Sequence, residues 1–195
     1  MNDLGLEDFL RAARSFHAPT MLEGEAYRNA PETRRYGEAW EAALARHDEW
    51  QALVRKMQSE LPDTTIGDTT APYAIAAQRC CVYMTRLENA ERNKPYSIIV
   101  ALASVLVPYY HIYQIVADDR AGALAHGPPL PRPRKDAEGT VSDIVARHLE
   151  QELGLKEFPS EYEAIRVPDI VVGNLLPGQA TLVGALFDTD RGNIP

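Results

Sequence analysis

The sequence predicts an α+β fold: a single domain over 1-195 in which a mostly antiparallel sheet packs against a long N-terminal helix and a later one. Three observations carry this. The first is the apolar run from Tyr96 to Ala117, YSIIVALASVLVPYYHIYQIVA, which is long enough for a membrane span of about 20 residues. Pro108 interrupts it, His111 and Gln114 follow, and four of its residues are tyrosines. Val, Ile and Tyr favour strands, so the run is expected to form two strands meeting near Pro108, or one strand bent there. The second observation is helical periodicity across Pro31 to Glu60, and the third is an apolar stripe after Thr140. A chain of 195 residues fits one domain and buries enough surface to need no staple.

The elements follow in order. Leu4 to Phe16 is amphipathic, with Phe9, Leu10, Ala13 and Phe16 on one broad side, and Pro19 marks its exit. Pro31 suits a first helical turn. From there Tyr36, Trp40, Ala43, Leu44, His47, Trp50, Leu53, Val54 and Met57 recur at helical spacing, predicting one helix to Glu60 that Pro62 and DTTIGDTTAP end. Tyr73 to Leu87 alternates and predicts a strand, with a start that helix also fits, joined by a loop at Glu88 to Lys94 to the apolar run. Residues 118-139, with GPPLPRPRK at their centre, predict a Pro-rich internal loop, because proline opposes both helix and central-strand pairing. A third helix is expected from Thr140, with Asp143 at the reciprocal capping position and Gly154 as the left-handed stop. SEYEAIR follows Pro159 as a helical turn. Residues 180–187, ATLVGALF, fit strand and helix equally.

Composition narrows the function classes. The two cysteines, Cys80 and Cys81, are adjacent and lack the spaced partners of a zinc site, so both are expected to pack in a strand. The start, MNDLGLEDFLRAARSF, has no continuous apolar stretch of the kind a signal peptide needs, and a cytoplasmic protein is expected. Net charge is −8. Residues 1–135 hold 17 acidic and 16 basic side chains, a net −1, whereas 136–195 hold 11 and 4, a net −7. That excess argues against nucleic acid, whose binding draws on Lys and Arg, and favours a cationic partner steered at long range.

Candidate chemistry is sparse. His148 and Glu152 stand at i and i+4 but lack the further ligands a metal needs. Tyr109, His111 and Tyr113 share one face of a strand, which reads as a pocket or partner surface or, on the structural side, as a core or edge histidine satisfied by hydrogen bonds. Asp188 and Asp190 alternate near the end of the chain as a possible carboxylate pair. Neither GxGxxG nor GxxxxGK[ST] occurs. No enzyme, cofactor or metal is expected.

The succession IGDTTAPY, NKPYSIIVALASVLVPYYHIY and VPDIVVGNLLPGQATLVGALFDTD, spanning Ile66 to Asp190, resembles the layout of immunity proteins from bacterial polymorphic toxin systems. The resemblance implies a small acidic cytoplasmic protein that binds a cognate protein toxin at or near its active site and carries no catalytic residues of its own. The charge reading then places Glu150, Glu157, Glu161, Glu163, Asp169, Asp188 and Asp190 on the surface that meets a basic toxin. A secretion chaperone or adaptor, with an apolar groove and a dimeric state, is the alternative reading. A small enzyme on the Tyr109, His111 and Tyr113 face is the third.

Overall fold

The computed structural model describes residues 4–22, 24–84, 96–118 and 125–192. At its centre the apolar run forms strands β3 (Tyr96–Ser104) and β4 (Tyr109–Asp118), antiparallel, with Tyr96 opposite Ala117 and Ala103 opposite Tyr110. Pro108 sits in the turn between them, where no ladder N–H is needed. Successive side chains point to opposite faces. Ile98, Val100 and Leu102 therefore enter one core while Ile99, Ala101 and Ala103 enter another. A strand buried on both faces has no polar side to alternate with, which is why the run reads as continuously apolar.

Strand β2 (Ala77–Tyr83) pairs antiparallel with β3, and β1 (Thr65–Asp68) pairs antiparallel with β2. The expected strand from Tyr73 is corrected at its start: Tyr73 turns at φ 64° and pairing begins only at Ala77. Leu87 and the expected loop from Glu88 to Lys94 lie outside the described residues. The outer edge of β4 is covered by three short strands in succession: β7 (Lys156–Glu157), β6 (Leu130–Pro131) and β5 (Ala125–His126). Among the seven strands of the described residues, β7 alone runs parallel to its partner.

Two helices lie on one face of the sheet. Trp50, Leu53, Val54 and Met57 of α4 (His47–Glu60) meet Val141, Val145, Ala146 and Leu149 of α5 (Asp136–Leu153) above Cys80, Ile99 and Tyr110. The opposite face is covered by α1 (Leu6–Phe16), through Phe9 and Ala13, by α6 (Leu182–Leu186), and by Phe158, Val167 and Ile170. Layers on both faces explain how an α+β chain of this length buries a whole central sheet.

The single helix expected over Pro31 to Glu60 is two. A short α2 (Gly24–Arg28) leads into α3 (Pro31–Ala45), which ends at Arg46, where φ −111° and ψ 15° leave the helical region. A continuous 30-residue helix would be about 45 Å long, half again the roughly 30 Å of a nine-residue strand. Breaking it lets α4 stay over the sheet while α3 packs beside α1 and sends the Trp40 indole N–H to the Ile75 carbonyl at 2.9 Å.

Helix α5 starts at Asp136, so the Pro-rich loop ends four residues earlier than expected and contains β5 and β6. Thr140 is no cap: its hydroxyl donates to the Asp136 carbonyl, and Asp143 binds Arg132 instead. Gly154, at φ 65°, closes the helix as its position predicts. A 3-10 turn at Ser160–Tyr162 follows. Residues 182–186 resolve as helix, with the Thr181 hydroxyl accepting from the Gly184 N–H at 3.2 Å. All five are buried, so no amphipathic period existed to be read.

Candidate functional site

Strand β4 brings Tyr109, His111 and Tyr113 to one face, as the pleat requires. Each tyrosine hydroxyl anchors a distant segment: Tyr109 accepts from the Leu4 N–H at 3.0 Å, and Tyr113 donates to the Arg191 carbonyl at 3.0 Å. Between them His111 is 4% exposed and stacks on Tyr113 with ring centroids 5.6 Å apart. Its Nε2 lies 3.0 Å from Arg191 Nη1. A guanidinium only donates, so Nε2 accepts and Nδ1 carries the proton. Nδ1 faces Glu163 Oε1 at 3.8 Å, beyond hydrogen-bond length. Burial, and then the charge of Arg191, push the imidazole down to about 3. The ring is neutral at pH 7, and the lone pair a general base would use is already held.

Beside this ring a cleft of about 500 Å³ opens between β4, the Pro131 to Arg134 stretch and the Glu157 to Glu163 stretch. Arg132 forms its floor, with a side chain only 8% exposed. Nη1 donates to Glu157 Oε2 and Nη2 to Asp143 Oδ1, both at 2.7 Å, while Nε reaches the Ser142 hydroxyl at 3.3 Å. Arg134 donates to the other oxygen of Glu157 at 2.7 Å. The expected exposed loop is thus tied down through one buried arginine, which supplies the donors its prolines lack.

The seven acidic residues read from the sequence do not form one surface. Glu157, Glu161 and Glu163 line the cleft. Glu150 accepts from the Tyr110 hydroxyl at 2.7 Å on the α4 and α5 side of the sheet, and Asp169 pairs with Arg14 at 2.8 Å on the α1 side. Asp188 is a correction, since it is 3% exposed and bound to Arg79 at 3.1 Å inside the protein. Burial raises its carboxyl more than Arg79 lowers it. Asp190 is exposed, and its N–H donates to Asp188 Oδ1 at 2.9 Å, so the two aspartates cap a turn after α6 and are not a pair on a strand. Arg14, Arg79, Arg132 and Arg134 all come from the near-neutral first 135 residues. The two regions of the sequence interleave in space, and much of the acidic excess is neutralised where they meet. Glu161 has no ion-pair partner among the described residues.

The remaining candidates hold the fold together. His148 Nε2 binds Glu60 Oε2 at 2.9 Å and Glu152 binds Lys56 at 2.8 Å, so the expected pair on α5 instead ties α5 to α4. Arg147 also pairs with Glu60. Consecutive on β2, Cys80 and Cys81 enter opposite cores, and burial pushes both thiols up, away from the reactive thiolate. Among the described residues no group of three or more His, Cys, Asp or Glu could hold a metal ion, and no helix is long and apolar enough to cross a membrane.

Sequence reasoning missed Arg132 and Arg191. Both stand in turn-rich stretches that carry no periodicity, and only the fold reveals what their guanidinium groups reach. No family model, curated protein or solved structure matches the chain.

Proposed function

We propose that the chain is an immunity protein that binds and neutralises a cognate bacterial toxin, receiving a cationic side chain of that toxin in the cleft beside His111. The observation that carries this reading is Glu161, a carboxylate without an ion-pair partner among the described residues, set in a cleft of about 500 Å³ whose two arginines are already engaged. A net charge of −8 steers a basic protein toward it over a longer range. Binding is favoured over turnover because the His111 Nε2 lone pair is held by Arg191 and both thiols are buried. The chaperone reading would use a different feature, a groove of about 280 Å³ lined by Ala39, Ala42, Ala43 and Trp50 at the break between α3 and α4. It calls for a dimer.

The test is co-expression with toxins encoded beside the gene, scoring survival and association kinetics. Glu161→Lys should slow association and weaken protection, and raising salt from 0.1 M to 1 M should slow the wild type, as screening shortens from about 10 Å to about 3 Å. Glu38→Lys, at an exposed site on α3, should change neither. If Glu161→Lys protects as well as wild type at an unchanged on-rate, the inhibitory contact is elsewhere.

A further inference from the structure

A third cavity, of about 120 Å³, lies where the end of α1 meets α3 and α6. Five aromatic side chains line it: Phe16, His17, Tyr27, Tyr36 and Tyr73. Among the described residues no Lys, Arg, Asp or Glu does. His17 is 9% exposed, and its Nε2 lies 2.7 Å from the Ala185 carbonyl. A carbonyl only accepts, so Nε2 carries the proton and Nδ1 keeps a lone pair. No donor reaches Nδ1 among the described residues. Burial lowers the pKa of the ring and keeps it neutral, so this lone pair persists at pH 7. The Thr189 hydroxyl, which also lines the cavity, is likewise without a partner among the described residues.

Tyr73 supplies an independent observation. It holds φ 64°, a conformation that costs a bulky residue on the order of 1–3 kcal/mol and that glycine or asparagine adopts readily. The turn is held through backbone carbonyls: the Tyr36 hydroxyl donates to Ile75 at 2.8 Å and lies 3.4 Å from Tyr73 O. Neither bond needs a tyrosine side chain at position 73. The residue is 52% exposed, and its ring lines the cavity while resting against Trp40 with centroids 5.9 Å apart.

The chemistry of the lining selects one kind of ligand. Aromatic faces carry negative potential and attract cations, and the His17 Nδ1 lone pair, which no donor among the described residues reaches and which is open to solvent, can only accept. A carboxylate or phosphate would meet no cation. A quaternary ammonium would leave the His17 lone pair unfilled. One water needs roughly 10–15 Å³ of such space, so the cavity takes a short alkyl group and falls below the roughly 300 Å³ of drug-sized sites. We propose that this cavity binds a primary ammonium group on a short alkyl stem, which donates to His17 Nδ1 and lies against the rings of Tyr27, Tyr36 and Tyr73.

A free alkylamine and a lysine side chain present the same group, and the test separates them. The full chain is titrated by NMR with n-butylammonium, 1-butanol and butyrate, and separately with Nα-acetyl-lysine N-methylamide and its Nε-acetylated form. Butylammonium should bind at least about tenfold tighter than butanol, a difference of about 1.4 kcal/mol, with shifts at the lining tyrosines. Butyrate and the Nε-acetylated peptide should not bind. Tighter binding of the lysine compound than of butylammonium assigns the site to a protein side chain, and the reverse assigns it to a free amine. Equal binding of butanol and butylammonium overturns the proposal. Tyr73→Asn, which relieves the φ 64° turn while giving up the ring contact with Trp40, should still fold and should weaken binding at least about tenfold. If that variant does not fold, Tyr27→Leu, at a half-buried site on α2, should show the same loss. Wild-type affinity in whichever variant folds overturns the proposal.

Discussion

One imidazole illustrates how much a single buried residue decides. His111 stays neutral because water is excluded and Arg191 stands against its Nε2, which lowers its pKa from the usual 6.5 to about 3. Between those values the unfolded chain takes up a proton that the native state refuses. The contribution is fully present above pH 6.5 and is lost as pH falls toward 3, at about 1.4 kcal/mol per pH unit. His17, also lowered by burial, acts in the same direction. Chemical denaturation at pH 7, 6 and 5 should show wild-type stability falling with acid. His111→Gln, which preserves an acceptor for Arg191, should show a shallower fall by about one proton's worth. An unchanged slope would mean that the imidazole titrates freely in the native state and is not enclosed as described.

At the scale of elements, two glycines in helices have opposite meanings. Gly37 in α3 has nothing within 4 Å of where a Cβ would stand, so Gly37→Ala should stabilise the protein by about 1 kcal/mol through helix propensity alone. Gly139, in the first turn of α5, lies under the backbone that enters the helix, where Asp136 turns at φ 62°. A Cβ there would be 2.7 Å from the Arg134 carbonyl carbon, and neither backbone can yield cheaply. Gly139→Ala should therefore destabilise by about 1–3 kcal/mol despite its better propensity. Equilibrium unfolding of both variants checks the signs; equal stabilisation would remove the close approach from the account. The sheet edges show related local control. At β1 the Ile66 N–H is filled by Gln58 Oε1 at 2.8 Å, while Gln58 Nε2 donates to the Leu61 and Thr64 carbonyls. A helix side chain thus occupies the ladder position that a foreign strand would use.

For the whole molecule the sheet is a partition between two cores. Phe9 packs against Tyr109 and Phe158 on one side, with ring centroids 4.9 and 5.0 Å away, and Trp50 packs with Met57 and Ile99 on the other. Phe9→Ala and Trp50→Ala should each cost about 3–5 kcal/mol. Because no neighbour is shared across the sheet, the double variant should cost the sum within about 0.5 kcal/mol, measured by denaturation in conditions where all four proteins fold. A large coupling would mean that the two cores repack together. Charge is also a whole-molecule property, since arginines of the first 135 residues neutralise carboxylates of the last 60.

What the sequence by itself determined is whatever depends on local patterning. The apolar run was legible as strand because its residues favour a pleat, with two strands or one bent strand open at Pro108; the fold decided for a turn. The stripe after residue 140 had to be a helix, and Gly154 had to end it, for reasons of period and backbone freedom. Cys80 and Cys81 were legible as buried strand residues on the same ground. Only the tertiary structure decided which charges remain outside. Asp188 and Glu161 look alike in sequence, yet one meets Arg79 in the interior and the other faces a cleft. Arg132 and Arg191 could not be read at all, because a guanidinium's role is set by the carboxylates and rings it meets after folding. Helix length was decided there too: the stripe from Tyr36 to Met57 continues across Arg46, but a helix of about 45 Å would overrun strands of about 30 Å. Periodicity reports which side of an element is apolar, and the partners of its polar groups are chosen by contacts between residues far apart in the chain.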